Sequence, residues 1–234
     1  MNEKIFERIE KKYLIDAAEQ QDMLSAIQEH MKEDKYFESE VFNLYFDTKD
    51  YDLIIKSIDN PVFKEKLRAR SYGGYDKVFL EIKTKMREPE YNIGHKRRVL
   101  ITTKDFNKLV KHQKSVETLA RQKIENPNDI QIAREVDYLI NYYELEPKIL
   151  VYYNRQSFIG ENGLRITFDT DLKYRSKNLK FTKKSSDHHF FDSDKNIIME
   201  IKHMGYCHSG LHENYLVPKY SPPDFLRLVK YTKN

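Results

Sequence analysis

Charged side chains recur at every second position in one short run of this chain after another. Lys64, Lys66, Arg68 and Arg70 alternate with Glu65, Leu67 and Ala69, and Glu81, Lys83 and Lys85 alternate with Leu80, Ile82 and Thr84. Residues i, i+2 and i+4 line one face of a β-strand, so each run predicts a strand with one charged face and one mostly apolar face. Ser71-Tyr72-Gly73-Gly74-Tyr75-Asp76 between them predicts a hairpin turn. The alternation returns in Glu7–Ile15, where Arg8, Glu10 and Lys12 share a face, and in His95–Ile101, with Lys96 and Arg98. It returns again in Pro147–Phe158 (Tyr153, Arg155, Ser157), Leu164–Asp169 (Arg165, Thr167, Asp169) and Asn196–Lys202 (Glu200, Lys202). Phe42–Asp47 adds one more strand.

Between these runs the apolar period lengthens to that of helices. Asp16 is placed to cap a helix over Ala17–Met31, with Met23, Ile27 and Met31 on one stripe. Asp47 or Thr48 can cap a short helix holding Tyr51, Leu53, Ile54 and Ile55. Thr103 can cap Lys104–Gln113, where Phe106, Leu109 and Val110 make a face. Ile130, Ala133, Val136, Ile140 and Tyr143 predict a helix over Asn128–Tyr143, with Pro127 at a permitted start. Ser221-Pro222-Pro223-Asp224 opens a terminal helix. Met86–Gly94 shows no clear period and reads as a polar connection, and Asp171–Lys195 reads as a loop or weak hairpin. His188 and His189 in the latter are a poor metal pair, because adjacent loop residues rarely converge on one ion.

At least seven strands interrupted by helices, without a parallel strand–helix–strand rhythm, predict an antiparallel α+β fold. Charged faces on so many strands would be costly against a core, while their apolar faces need cover. An antiparallel β-barrel of about eight strands, with a tunnel inside and helices packed outside, meets both demands in one domain spanning residues 1–234. Inner cations then need an anionic ligand, and Arg forks and Lys point charges suit phosphate. Glu10, Glu81 and Glu200 would supply hard oxygens for a divalent ion.

Composition narrows the partners. One third of the 234 residues are charged, yet the net charge is only +4, so a polyanion site must come from local segregation of charge. Nucleic acid is disfavoured, since such binders carry a broader basic excess or aromatic platforms. Cys207 stands alone, which excludes an intramolecular disulfide and suits a reducing cytosol. No apolar leader follows Met1 and no stretch has the length of a membrane span, so a soluble cytoplasmic protein is expected. A Walker A pattern is absent, which disfavours an ordinary P-loop kinase.

Arg8-Ile9-Glu10-Lys11-Lys12-Tyr13, Leu67-Arg68-Ala69-Arg70, Phe79-Leu80-Glu81-Ile82-Lys83-Thr84-Lys85, Tyr153-Asn154-Arg155 and Met199-Glu200-Ile201-Lys202, in that order, resemble the vacuolar transporter chaperone (VTC) polyphosphate-polymerase domain. That domain belongs to the triphosphate tunnel metalloenzyme (CYTH-like) superfamily. The resemblance implies a basic tunnel in which the γ-phosphate of ATP is transferred to a growing polyphosphate chain with Mn²⁺ or Mg²⁺. It makes Arg68 and Arg70 the paired phosphate-binding arginines and Lys83 a further catalytic cation. Arg8, Lys12, Lys66, Lys96, Arg98, Arg155, Arg165 and Lys202 become the phosphate-binding lining, and Glu200, with Glu10 and Glu81, the metal carboxylates. The family's closing lysine–aromatic pair has two candidates, Lys219-Tyr220 and Lys230-Tyr231, of which Lys230 is preferred. A membrane-protein partner is implied by the eukaryotic relatives. Triphosphate hydrolysis, or polyphosphate binding without catalysis, stays open beside polymerisation, since these differ in what reaches the γ-phosphate.

Overall fold

The computed structural model describes residues 8–58, 61–73, 76–87, 92–112, 114–121 and 126–204. In chain order its elements are β1 (Arg8–Ile15), α1 (Ala17–Ile27), β2 (Lys32–Asp47), α2 (Asp52–Ile58), β3 (Phe63–Tyr72), β4 (Val78–Arg87), β5 (Asn92–Ile101), α3 (Thr103–His112), α4 (Val116–Arg121), α5 (Pro127–Tyr142), β6 (Glu146–Ile159), β7 (Arg165–Arg175), β8 (His188–His189) and β9 (Ile197–Met204). Hydrogen bonds link the strands in the order β1-β9-β7-β6-β2-β3-β4-β5, with β8 beside β7. The β1–β9, β7–β9, β2–β3, β3–β4 and β4–β5 pairs are all antiparallel. The protein is thus α+β on an antiparallel sheet, as the alternation predicts.

The chain divides into two compact units, with β2, β6 and β7 each running from one into the other. The first holds the described residues up to Glu40, Tyr153–Lys173 and those from His188 onward. Here Ile15, Ile166, Phe168, Ile197 and Met199 bury one sheet face against Met23, Ile27 and Met31. Asp16 caps α1 as expected: its carboxylate accepts from Glu19 N at 2.9 Å and the Glu19 carboxylate accepts from Asp16 N, a reciprocal cap stabilising by about 1 kcal/mol. The helix ends at Ile27, short of the expected Met31, yet Met31 stays buried because its N–H bonds Ile27 O at 2.8 Å. β2 begins ten residues earlier than its apolar run, at Lys32. Its charged first half shows no hydrophobic alternation and is held by neighbours instead, Phe37 edge-on to Phe158 and Asp34 paired with Arg165 at 2.9 Å.

The second unit comprises Val41–Tyr152 and Tyr174–Asp187 among the described residues. Leu44, Phe46, Leu67, Ala69, Leu80, Ile82, Val99 and Ile101 form one apolar sheet face, covered by Phe106 and Leu109 of α3, Val116 and Ala120 of α4, and Ala133, Val136 and Leu139 of α5. Both expected caps of α2 act: Asp47 accepts from Leu53 N and Ile54 N, and Thr48 Oγ1 accepts from Asp52 N. The cap of α3 is Thr102, whose Oγ1 accepts from Asp105 N at 3.1 Å, one residue before the expected Thr103. Helix α4 is capped twice: Ser115 Oγ accepts from Thr118 N at 3.2 Å, and Asp137 of α5 accepts from Val116 N and Glu117 N from 20 or more positions away. Residues 171–195, expected as a loop or weak hairpin, begin by extending β7 to Arg175, and His188–His189 returns as β8 beside β7. The buried Arg175 then gathers the segment that follows, donating to Asn178 O at 2.9 Å, to Lys180 O, and to Asp187 at 2.5 Å.

Candidate functional site

Strand register decides which charges meet. In the second unit, β3 pairs Lys64 with Lys85, Lys66 with Lys83, Arg68 with Glu81 and Arg70 with Phe79. Beyond β4, Glu81 stands opposite Arg98 and Lys83 opposite Lys96. On the other side, Tyr45 of β2 stands opposite Arg68 and Asn43 opposite Arg70. Directly opposed residues share a face of the sheet, so Lys64, Lys66, Arg68, Arg70, Lys83, Lys85, Lys96 and Arg98 all project from the side away from the apolar core. Like charges in opposed pairs such as Lys66–Lys83 destabilise a sheet unless an anion lies among them.

The carboxylate set among them is Glu81, wholly buried. Arg68 donates to its Oε2 through both Nε and Nη2 at 2.6 Å, and Lys96 Nζ lies 2.9 Å from Oε1. Burial alone would raise its pKa, but Arg68, Arg70 and Lys96 outweigh that and hold the carboxyl at about 2. Arg98 stacks on the Phe79 ring with its guanidinium carbon 4.8 Å from the centroid. The aromatic that alternation aligned with these cations therefore serves as a platform for one of them. Tyr45 is half-buried beside the arginines, and although desolvation opposes it, Arg68 and Arg70 bring its hydroxyl below its ordinary pKa.

The first unit carries a second charged cluster. Lys12 stands opposite Glu200, Glu10 opposite Lys202, and β9 in turn aligns Glu200 with Thr167 and Lys202 with Arg165. Lys202 Nζ lies 3.0 Å from Glu200 and 3.4 Å from Glu10; Lys12 Nζ lies 3.4 Å from Glu10 and 3.9 Å from Glu200. Glu200 is buried, which by itself would raise its pKa. A hydrogen bond shared with Glu10 and the charges of Lys12 and Lys202 instead hold it far below the usual carboxylate range. Arg155 forks onto Asp169 through Nε and Nη2, both at 2.6 Å, with Nη2 3.8 Å from Glu200. Arg165 donates to Ser157 Oγ at 3.5 Å and pairs with Asp34.

The expected site residues therefore fall into two sets. Lys66, Arg68, Arg70, Lys83, Lys96, Arg98 and Glu81 come together in the second unit; Lys12, Arg155, Arg165, Lys202, Glu10 and Glu200 lie in the first. The side chain of Arg8, and Lys219 and Lys230, lie outside the described residues. Glu81, expected as a metal carboxylate, is wholly buried with Arg68 forked onto one oxygen and Lys96 on the other, whereas the cations on Glu10 and Glu200 are mostly single lysine contacts at 3.0–3.9 Å. Sequence reasoning missed Asn43, Tyr45 and Asp169 as partners of the arginines. Period-two alternation places Asn43 and Tyr45 on one face opposite Leu44 and Phe46, a usable signal for both. Asp169 had been aligned with Arg165 and Thr167, but its bond to Arg155 depends on the neighbouring strand. Among the described residues no group of three or more His, Cys, Asp or Glu side chains converges, and no helix is long and apolar enough to cross a membrane.

Among solved structures, this chain is similar to a Hippeastrum protein described as a candidate adenylyl cyclase with dominant triphosphatase activity, at 16% identity and TM-score 0.49 over 85% of this chain and 79% of that one. It is also similar to a Pyrococcus horikoshii protein at 10% identity and TM-score 0.43, over 86% and 80% of the two chains. A third is a candidate adenylate cyclase from Vibrio parahaemolyticus, at 12% identity and TM-score 0.42, over 86% and 78%. The VTC domain matches residues 7–220, nearly the whole chain, and the protein belongs to the VTC domain family.

Proposed function

We propose that this protein is a metal-assisted phosphotransferase that moves the γ-phosphate of ATP onto a growing polyphosphate chain. The observation that supports the reading best is the β3–β4–β5 face, where opposed lysines and a buried arginine pair surround a single fully buried glutamate. Such a face is stabilised by a compact polyanion. Phosphoryl transfer asks little covalent chemistry of a protein and gains chiefly from fixed positive charge around the transferring group. In this reading Arg68, Arg70 and Lys83 grip the phosphates at the point of transfer. Lys66, Lys96 and Arg98 hold the rest of the chain, and Lys12, Arg155, Arg165 and Lys202 are phosphate-binding residues by family motif. Arg8 and Lys230 are assigned by family motif alone.

The carboxylates of the first unit suit a hard divalent ion. Glu200 is ionised, buried and oxygen-donating, with Glu10 beside it. Two carboxylates, with phosphate oxygens and waters completing the shell, match the way Mg²⁺ and its chemical relatives bind. Glu200 and Glu10 would hold Mn²⁺ or Mg²⁺, which when bound neutralises charge on the phosphates. Glu81 acts in this reading as a fixed counter-charge for Arg68 and not as a metal ligand.

The test is incubation with ATP and Mn²⁺, with products resolved on a gel that separates polyphosphate chains and free phosphate assayed alongside. A ladder of chains plus ADP is the expected result. Phosphate release without chains would make the protein a triphosphatase. Absence of both, with tripolyphosphate still raising the melting temperature, would make it a binding module.

A further inference from the structure

Two arginines two residues apart on β3 are held in different ways. Arg68 spends its Nε and Nη2 on Glu81, a full negative charge. Arg70 donates its Nε to Asn43 Oδ1 at 2.8 Å, a neutral amide. No other hydrogen bond or ion pair to Arg70 occurs among the described residues, although its side chain is nine-tenths buried. With one acceptor for five donors, this guanidinium leaves its terminal amino groups, which are not sealed from solvent, to water or to a ligand. Tyr45, two positions along β2 from Asn43, stands opposite Arg68 and hydrogen-bonds it.

We propose that Asn43, seconded by Tyr45, is a positioning residue of the phosphate site, fixing the arginine fork through a neutral acceptor so that Arg70 keeps its whole charge and both terminal amino groups for an anion. The argument rests on the phosphate-binding reading given above. A carboxylate at position 43 would hold Arg70 at least as firmly, since charge-assisted bonds are shorter and stronger. It would also cancel the charge that the ligand needs. An amide fixes without cancelling. Tyr45 does the same for Arg68 from the side that Glu81 does not reach, through a hydroxyl.

This predicts an unusual separation of stability from binding. In Asn43→Asp the new carboxylate pairs with Arg70, so the melting temperature holds or rises, while tripolyphosphate affinity, measured by calorimetry without metal, falls by roughly tenfold or more. Asn43→Leu, which removes the acceptor but keeps the bulk, also weakens binding, and in an Arg70→Ala background its effect disappears, the non-additivity expected of a residue that acts through another. Tyr45→Phe gives a smaller loss and is the fallback should Asn43→Leu fold poorly. Unchanged affinity in Asn43→Asp, or full additivity of Asn43→Leu with Arg70→Ala, overturns the inference while leaving the phosphate site itself standing. Failure of the wild-type protein to bind tripolyphosphate overturns both.

Discussion

The two charged clusters have the same ingredients in different proportions. Around Glu81 stand Arg68, Arg70 and Lys96, three cations to one carboxylate. Around Glu200 stand Lys12, Lys202 and Arg155 with Glu10 and Asp169, three cations to three carboxylates. A cluster with surplus positive charge is completed by an anion. A balanced one can exchange a lysine contact for a metal ion without building up charge. In the proposed reading, proportion and not residue type separates the phosphate grip from the metal seat, and each prediction below tips one of the two balances.

The largest effect is expected from Arg68→Ala. It removes the fork from a fully buried carboxylate, so a loss of about 3–5 kcal/mol in urea melts accompanies the loss of tripolyphosphate binding. Arg70→Ala sharpens the contrast: its partner is an uncharged amide, so binding falls steeply but measurably, with a smaller loss of stability than in Arg68→Ala. Equal destabilisation by the two variants would mean that the difference in partners does not matter.

Next comes pH. Glu81 has its pKa lowered from 4.5 to about 2 in the folded protein, so the stability it contributes is fully present above the unfolded value and is lost as pH falls from about 4.5 through about 2. At 1.36 kcal/mol per unit the contribution is roughly 3 kcal/mol. Denaturant melts between pH 5 and pH 2 should therefore show a steeper acid loss in wild type than in Glu81→Gln, and parallel profiles would contradict the ion-pair account. Glu200→Gln unbalances the other cluster towards positive charge. It should abolish the gain in ATP affinity on adding Mn²⁺ while leaving metal-free tripolyphosphate binding equal or tighter; a loss of metal-free binding would show that Glu200 serves the phosphates directly. Smallest of all, Lys96→Gln removes a half-exposed partner of Glu81 and should weaken tripolyphosphate binding only a few-fold, about 0.5–1 kcal/mol.

The strands were legible because one face of each is buried, and burial forces a period of two that survives any choice of neighbour. Lys64 to Arg70 and Glu81 to Lys85 could therefore be placed on a face before their partners were known. The partners themselves could not. That Arg70 meets Asn43 and not a carboxylate is set by the β2–β3 register, and that Arg155 meets Asp169 depends on β6 lying beside β7. The first half of β2 escaped notice for the opposite reason: a segment such as Lys32-Glu33-Asp34-Lys35 buries too little to leave a pattern. Helix α4 escaped although Ser115 caps it locally, because six residues are too few to show an apolar period. What sequence spacing carries is the face; what it lacks is the identity of the neighbour across it.

Arg175 has a consequence for how this protein meets proteases. The segment after β7 carries exposed Lys177, Lys180, Lys183 and Lys184 and would seem an open invitation to trypsin. Its main chain, however, is tied through the carbonyls of Asn178 and Lys180 to a buried guanidinium that also holds Asp187. A protease needs an extended, unbonded stretch, so cleavage must wait until this knot opens. Limited digestion of the native protein would then time the opening of a single arginine's grip, in a segment whose composition alone would mark it as loose.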